Sequence, residues 1–305
     1  MPSLPDFIAP MLAKSGAPFD SEEHLFEVKW DGTRALAFVE QGRAYRLRNR
    51  KDRDQAMRYP ELAFLGELEA GMVLDGEIVM LDSSGRPDFS LMLKREQARH
   101  PERAAALARA HPATYVVFDL LYRGFEPCMD LALEARRAGL AEVVGACSDA
   151  RLVLSDGVVG AGKALFEQVT GLGIEGVVAK RLAGAYQSGQ RTGDWCKIKP
   201  VHRLHCAILG YSAESDDLRS LVIAAADDGG RLCCVGRVGS GLRDAVRREL
   251  LERLRARPRA TPLIECDLDG SWVEPGLYCT VSFLEQTKNG TLRAPVFIDW
   301  VEEAS

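Results

Sequence analysis

A lysine followed at once by an acid, a glycine and an arginine is the first arrangement in this chain that could do chemistry. It reads Lys29-Trp30-Asp31-Gly32-Thr33-Arg34 and is preceded by Phe26-Glu27-Val28. A lysine on a strand beside a fixed carboxylate and a fixed guanidinium loses solvation and feels neighbouring cations, and both effects favour the neutral amine that attacks electrophiles. Lys29 is therefore the candidate nucleophile. The same six residues also describe an exposed hairpin corner, because Asp-Gly is a common turn pair and charged residues crowd turns.

Further charged residues interrupt apolar runs, where an unpaired carboxylate would be costly. Residues 72–80 form a nearly all-apolar strand broken by Asp75-Gly76-Glu77, so Glu77 needs a partner or a task. Glu175 stands at the mouth of a second apolar run, Val177-Val178-Ala179-Lys180. In Asp194-Trp195-Cys196-Lys197-Ile198-Lys199 the period of two puts Lys197 and Lys199 on one face of a strand.

The elements that must position these residues can be read in order. Residues 1–25 form a lead-in in which Pro10-Met11-Leu12-Ala13 packs while flanking prolines forbid regular structure. The Lys29 strand is expected to continue through residues 35–39 into a turn at 40–42 and a second strand, a hairpin ending in Arg48-Asn49-Arg50. Helices are predicted over 59–70, stopped by Gly71, and over 89–110, 131–144 and 162–171, with strands at 114–122 and 152–155. After Pro200 come short strands at 206–211, 221–225 and 232–238, a helix over 242–257, and strands at 272–274, 277–286 and 293–300. That order suits a small barrel of the OB type. With 305 residues, two domains are expected, at 1–200 and 201–305.

Bulk properties narrow the class. No stretch has the length of a membrane span and the start lacks a signal peptide's basic and apolar regions, so a soluble protein of the bacterial cytoplasm is expected. The eight cysteines contain no C-x-x-C pair, which argues against a zinc site and a disulfide framework. His202-x-x-His205-Cys206 lacks a second ligand group at zinc spacing. Net charge is −5, with 26 basic against 28 acidic residues in 1–200 and 13 against 16 in 201–305, so any nucleic-acid footprint must be local. Arg43 to Arg58 and Arg243 to Arg259 are the local basic runs, each otherwise a solvated face.

Together and in order, Lys29-Trp30-Asp31-Gly32-Thr33-Arg34, Arg48-Asn49-Arg50, Leu74-Asp75-Gly76-Glu77, Phe118-Asp119-Leu120-Leu121-Tyr122, Glu175-Gly176-Val177-Val178-Ala179-Lys180 and Lys197-Ile198-Lys199 resemble the motifs of ATP-dependent polynucleotide ligases. Pro10-Met11-Leu12-Ala13, Trp272-Val273-Glu274-Pro275 and Leu292-Arg293-Ala294-Pro295-Val296-Phe297 narrow the resemblance to bacterial DNA ligases of the end-joining type. The resemblance implies an α+β fold: a nucleotidyltransferase (ATP-grasp-like) adenylation domain of antiparallel-rich sheets with flanking helices, then an OB-fold β-barrel.

It also implies three transfers: AMP from ATP to Lys29, AMP from Lys29 to a DNA 5′-phosphate, and attack of a 3′-hydroxyl on that phosphate with release of AMP. In this frame the ATP- or AMP-binding residues are Glu27, Lys29, Arg34, Arg50, Glu77, Phe118, Val178, Lys197, Lys199 and Arg293. Arg34 and Arg50 offer forked donors to phosphate or ribose, and Phe118 stacks on adenine above Val178. Glu77 accepts from ribose hydroxyls or joins Glu175 in holding Mg²⁺ or Mn²⁺. Lys197 and Lys199 neutralise charge on the transferred phosphate, and Arg293 serves the outer phosphates of ATP. The implied partners are nicked or broken double-stranded DNA and a DNA-end-binding repair protein, with the chain a monomer.

The sequence departs from the family pattern at Leu47-Arg48, where serine is common, and at Lys51, where glycine is usual. The family also continues into a basic Asp-Lys pair where this chain has Asp299-Trp300-Val301-Glu302, leaving Arg293 and Lys288 to orient pyrophosphate. An RNA ligase or capping guanylyltransferase would share the lysine motif, and an inactive nucleic-acid-binding scaffold would share the fold. An NAD-dependent ligase is disfavoured by the lack of a four-cysteine zinc finger.

Overall fold

Alternation along three central strands decides the architecture of the first unit. In Thr33–Val39, Ala35, Ala37 and Val39 join one buried cluster with Leu47, Leu62, Leu74 and Leu140, while Leu36 and Phe38 join another with Met11, Val73, Leu121 and Trp195. A strand buried on both faces must lie in a central layer. Its sheet runs in the order Tyr45–Asn49, Thr33–Val39, Met72–Val79, Thr114–Arg123, Glu126–Pro127, with Leu152–Leu154 also paired to Thr114–Arg123. Helices Phe89–Glu96 and Leu133–Ala146 and the turns of Pro60–Glu67 supply residues that cover one face.

The other face meets a second sheet of order Leu12–Ser15, Arg191–Ile198, Val177–Arg181, His24–Val28, Gly157–Val159. Only its first pair is parallel. Phe26, Val177, Ala179 and Ile198 point outward from it under Val169 of helix Gly162–Gly171. The residues alternating with them point inward, between the sheets.

This computed structural model describes residues 2–82, 85–227, 229–283, 285–287 and 289–302. The chain divides into Met1–Lys199 and Pro200–Ser305. In the second unit, His202–Glu214 pairs with both Asp217–Ala226 and Leu277–Phe283. Leu232–Val238 extends one side and Val296–Glu302 the other. A parallel bridge between Ser240 and Val296 brings the two ends together. Helix Asp244–Arg255, inserted after the third of these strands, places Leu250 and Leu254 in the interior with Ile208, Leu221, Val235 and Val281. This is the OB-type barrel.

Several local expectations are corrected. The Lys29 strand does not run on into residue 35: it ends at Val28 in one sheet, and Thr33–Val39 belongs to the other. Residues 29–32 are thus the crossing between sheets, not a hairpin corner. Gly32 is required there because a Cβ would strike the carbonyl of Ile78. Residues 60–67 form a 3₁₀ helix in place of an α-helix; Leu62, Leu65 and Leu68 recur every third residue, which matches three residues per turn. The helix expected over 89–110 is two, Phe89–Glu96 and Pro101–Ala110, because a proline sits well at the first position of a helix and poorly inside one. Leu12–Ser15 is a strand despite its flanking prolines, since Pro10 and Pro18 both lie outside the four paired residues. The strand expected over 277–286 stops at Phe283, and Glu285–Gln286 pairs separately with Leu292–Arg293.

Candidate active site

Register across the second sheet of the first unit assembles the site. Val178 lies beside Glu27 on one side and Lys197 on the other. Two residues along, Lys180 lies beside Trp195, and Lys29 extends the row from Glu27. All six line one cavity of about 280 Å³ with Trp30, Arg34, Arg50, Glu77 and Phe118, near the lower end of small-ligand sites. The Lys29 amide donates to the Gly176 carbonyl at 2.8 Å, which fixes the crossing against Glu175-Gly176.

The Lys29 ammonium pairs with Glu175 Oε2, and Lys199 pairs with Glu175 Oε1. Burial works against the charge of Glu175, but the hydrogen bonds from Lys199 and Lys29 outweigh it and hold the carboxyl below its ordinary range. Lys197 is lowered by burial and by the cations Arg191, Lys199 and Lys29. The lysine face is therefore a concentrated positive field opposite one shared carboxylate, an arrangement suited to phosphate.

At the inner end, Glu27 is 2% exposed and pairs with Lys180 at 2.7 Å and with Arg137 at 3.1 Å. Burial pushes the Glu27 carboxyl up and the Lys180 amine down, and their mutual attraction opposes both shifts. Glu27 Oε1 accepts no hydrogen bond among the described residues and keeps acceptor capacity at the cavity wall. Lys180 Nζ lies 4.2 Å from the Phe118 ring centroid and 4.6 Å from that of Trp195, so cation–π attraction steadies both rings. Trp30 is anchored by its indole N–H donating to Ser155 Oγ at 3.2 Å.

Arg34 is held from below. Its Nε and Nη2 donate to Asp75 at 2.9 and 2.6 Å, and its Nη1 donates to the Met11 carbonyl at 2.7 Å. Asp75 has no exposed surface and also accepts from Tyr186 Oη at 2.7 Å. The expected phosphate or ribose fork of Arg34 is thus engaged within the protein, because the costly buried carboxylate of the Asp-Gly-Glu run is Asp75 and needs it. Glu77 lies beside Arg34 in register. Burial raises its carboxyl to about 8, with Arg34 and Lys29 pulling the other way and Asp75 and Glu175 adding to the rise.

Of the residues singled out from sequence, Glu27, Lys29, Arg34, Arg50, Glu77, Phe118, Val178 and Lys197 line this one cavity. Glu175 and Lys199 join it through Lys29. Arg293 belongs to the second unit, on the short strand Leu292–Arg293, and Lys288 lies outside the described residues. Sequence reasoning gave no role to Lys180, Trp195, Arg191 or the Asp75–Tyr186 pair. Lys180 carried a signal, since a lysine two residues beyond Val178 on a buried strand must share its face.

A family model for the ATP dependent DNA ligase domain matches residues 10–199, and one for the ATP dependent DNA ligase C terminal region matches 214–303. The chain belongs to the ATP-dependent DNA ligase family. A multifunctional non-homologous end joining protein LigD of Pseudomonas aeruginosa is 34% identical over 96% of this chain and 35% of its own length. DNA ligase C of Mycobacterium tuberculosis is 32% identical over 89% of this chain and 75% of its own. The solved ligase domain of M. tuberculosis LigD superposes with a TM-score of 0.58 at 32% identity, covering 97% of this chain and 95% of that one. A mycobacterial DNA ligase D complexed with ATP and MES gives the same TM-score and identity over 98% and 96%. The chain spans little more than a third of the length of the LigD relatives.

ATP-dependent ligases also use a divalent metal. Among the described residues no group of three or more His, Cys, Asp or Glu is arranged to hold one. Glu175 and Glu77 feel each other's charge beside Lys29, and two carboxylates suit a Mg²⁺ or Mn²⁺ that takes its other ligands from water and substrate phosphate. These two carboxylates are the residues that could hold that ion. No helix among the described residues is long and apolar enough to cross a membrane.

Proposed function

We propose that this chain seals 5′-phosphate/3′-hydroxyl breaks in double-stranded DNA, with Lys29 carrying AMP between ATP and the DNA. The observation that supports this most is Lys29 itself: its amine opens on the cavity and pairs with Glu175, which Lys199 shares. Lys29 attacks the α-phosphorus as the free amine, its proton leaving along the contact to Glu175. A nitrogen–phosphorus bond forms as the bond to the bridging oxygen breaks, and pyrophosphate leaves. A DNA 5′-phosphate oxygen then displaces Lys29 from AMP, and a 3′-hydroxyl finally displaces AMP.

The remaining residues orient and stabilise. Lys197 and Lys199 counter charge on the transferred phosphate, and Arg50, whose side chain makes no ion pair or hydrogen bond among the described residues, is available to phosphate or ribose. Phe118 and Val178 bound the base, and Glu27 Oε1, which accepts no hydrogen bond among the described residues, accepts from it. Glu77 faces the ribose, with the charge of the neighbouring Arg34 favouring its carboxylate. A divalent metal held by Glu175 and Glu77 would neutralise phosphate charge.

The LigD relatives support end joining as the setting; a DNA-end-binding repair protein as partner, the bacterial cytoplasm as location and a monomeric chain complete the proposal. The test is sealing of a labelled nicked duplex with ATP and Mg²⁺. Wild type should seal and Lys29→Ala should not. Sealing by Lys29→Ala, or labelling of the protein by GTP in preference to ATP, would overturn the reading.

A further inference from the structure

We propose that Cys234 and Cys266 are an oxidant-responsive pair that closes into a disulfide within the second unit. Cys234 lies on Leu232–Val238, and Cys266 lies in residues 260–270, which carry no regular structure. Their Sγ atoms stand 2.6 Å apart, close to the bonded separation of about 2.05 Å. Other contacts fix this approach. Ile264 and Leu268 pack with both cysteines against Leu209, Val222 and Ala224, and Arg237 donates to the Asp269 carbonyl.

The other thiols of this unit are placed differently. Cys206 and Cys279 oppose each other across two strands but are almost fully buried, and Cys233 Sγ is turned to Asp227. Cys234 and Cys266 open on a cavity of about 750 Å³, so a peroxide can reach them. Burial, with the hydrogen bond to Cys266, pushes the Cys234 thiol up to about 11, so closure accelerates as pH rises.

With hydrogen peroxide as oxidant, one thiolate attacks a peroxide oxygen, the O–O bond breaks, and hydroxide leaves to become water. The sulfur is now a sulfenic acid. The second thiolate attacks that sulfur, the S–S bond forms, and the hydroxyl departs as a second water. Two thiols have lost two electrons and one peroxide has gained them. The bond would tie residues 260–270 to the barrel and restrict the unfolded chain.

The test treats the full chain with hydrogen peroxide, blocks remaining thiols under denaturing conditions, and measures intact mass and cross-linked peptides. Wild type should lose two hydrogens, link the peptide 232–237 to the one bearing Cys266, and return to the dithiol with a thiol reductant. The link should vanish in Cys234→Ser and in Cys266→Ser and persist in Cys233→Ser and Cys279→Ser. The oxidised wild type should melt at a higher temperature than its reduced form, with no such shift in Cys266→Ser. Gain of oxygens without a link, or a link that survives Cys234→Ser, would overturn the assignment.

Discussion

Glu77 gives the site a pH signature. Its carboxyl, ordinarily near 4.5, is raised to about 8, chiefly by burial. The folded chain therefore holds this proton more tightly than the unfolded chain. The stabilisation is complete below the ordinary carboxylate value and is lost as pH rises through about 8. Glu77→Gln, neutral at every pH, should flatten that part of the profile: urea unfolding should show wild type losing stability relative to the variant between pH 4.5 and 8, and no further change above. Parallel pH profiles would remove Glu77 as the cause. At this scale the sequence was most legible where a charge interrupts an apolar run. It could not say which carboxylate of Asp75-Gly76-Glu77 takes the Arg34 fork, because the deciding partners, Arg34 and Tyr186, are remote in sequence.

Between elements, the junction of His24–Val28 with Val177–Arg181 carries the chemistry. Gly176 sits there at φ +137, and a Cβ would strike the carbonyl of Ile198. Gly176→Ala should force the strands apart, cost about 1–3 kcal/mol, and displace Glu175 from Lys29. Self-adenylation should fall at least tenfold, with thermal melting lowered; a variant of unchanged rate would show that this backbone does not set the Lys29 position. The strands and the helix at 162–171 were legible because their periods are strong. The switch of sheets at residues 29–32 was not, because Asp-Gly signals a turn without saying which sheet the chain enters next. Lys180 and Trp195 were missed for a related reason: their tie to Phe118 exists only once the two sheets face each other.

For the whole molecule, length and the run of short strands after Pro200 led to an expected boundary at 200/201, and the structure divides into Met1–Lys199 and Pro200–Ser305. Arg293, in the second unit, is assigned by resemblance to the outer phosphates of ATP, which are absent once the AMP has moved. Arg293→Ala should therefore slow self-adenylation by ATP and leave sealing of a nick already carrying 5′-adenylate near the wild-type rate; equal losses in the two assays would contradict that division.

The central claim is that Lys29 alone carries the nucleotide, and its most direct test is the mass of the purified chain after incubation with ATP and Mg²⁺, followed by peptide mapping. Wild type should gain one AMP, mapped to Lys29, and Lys29→Ala and Lys29→Arg should gain none, since a guanidinium stays protonated and does not attack. An adduct on Lys197, Lys199 or any other residue, or no adduct in the wild type, would contradict the account.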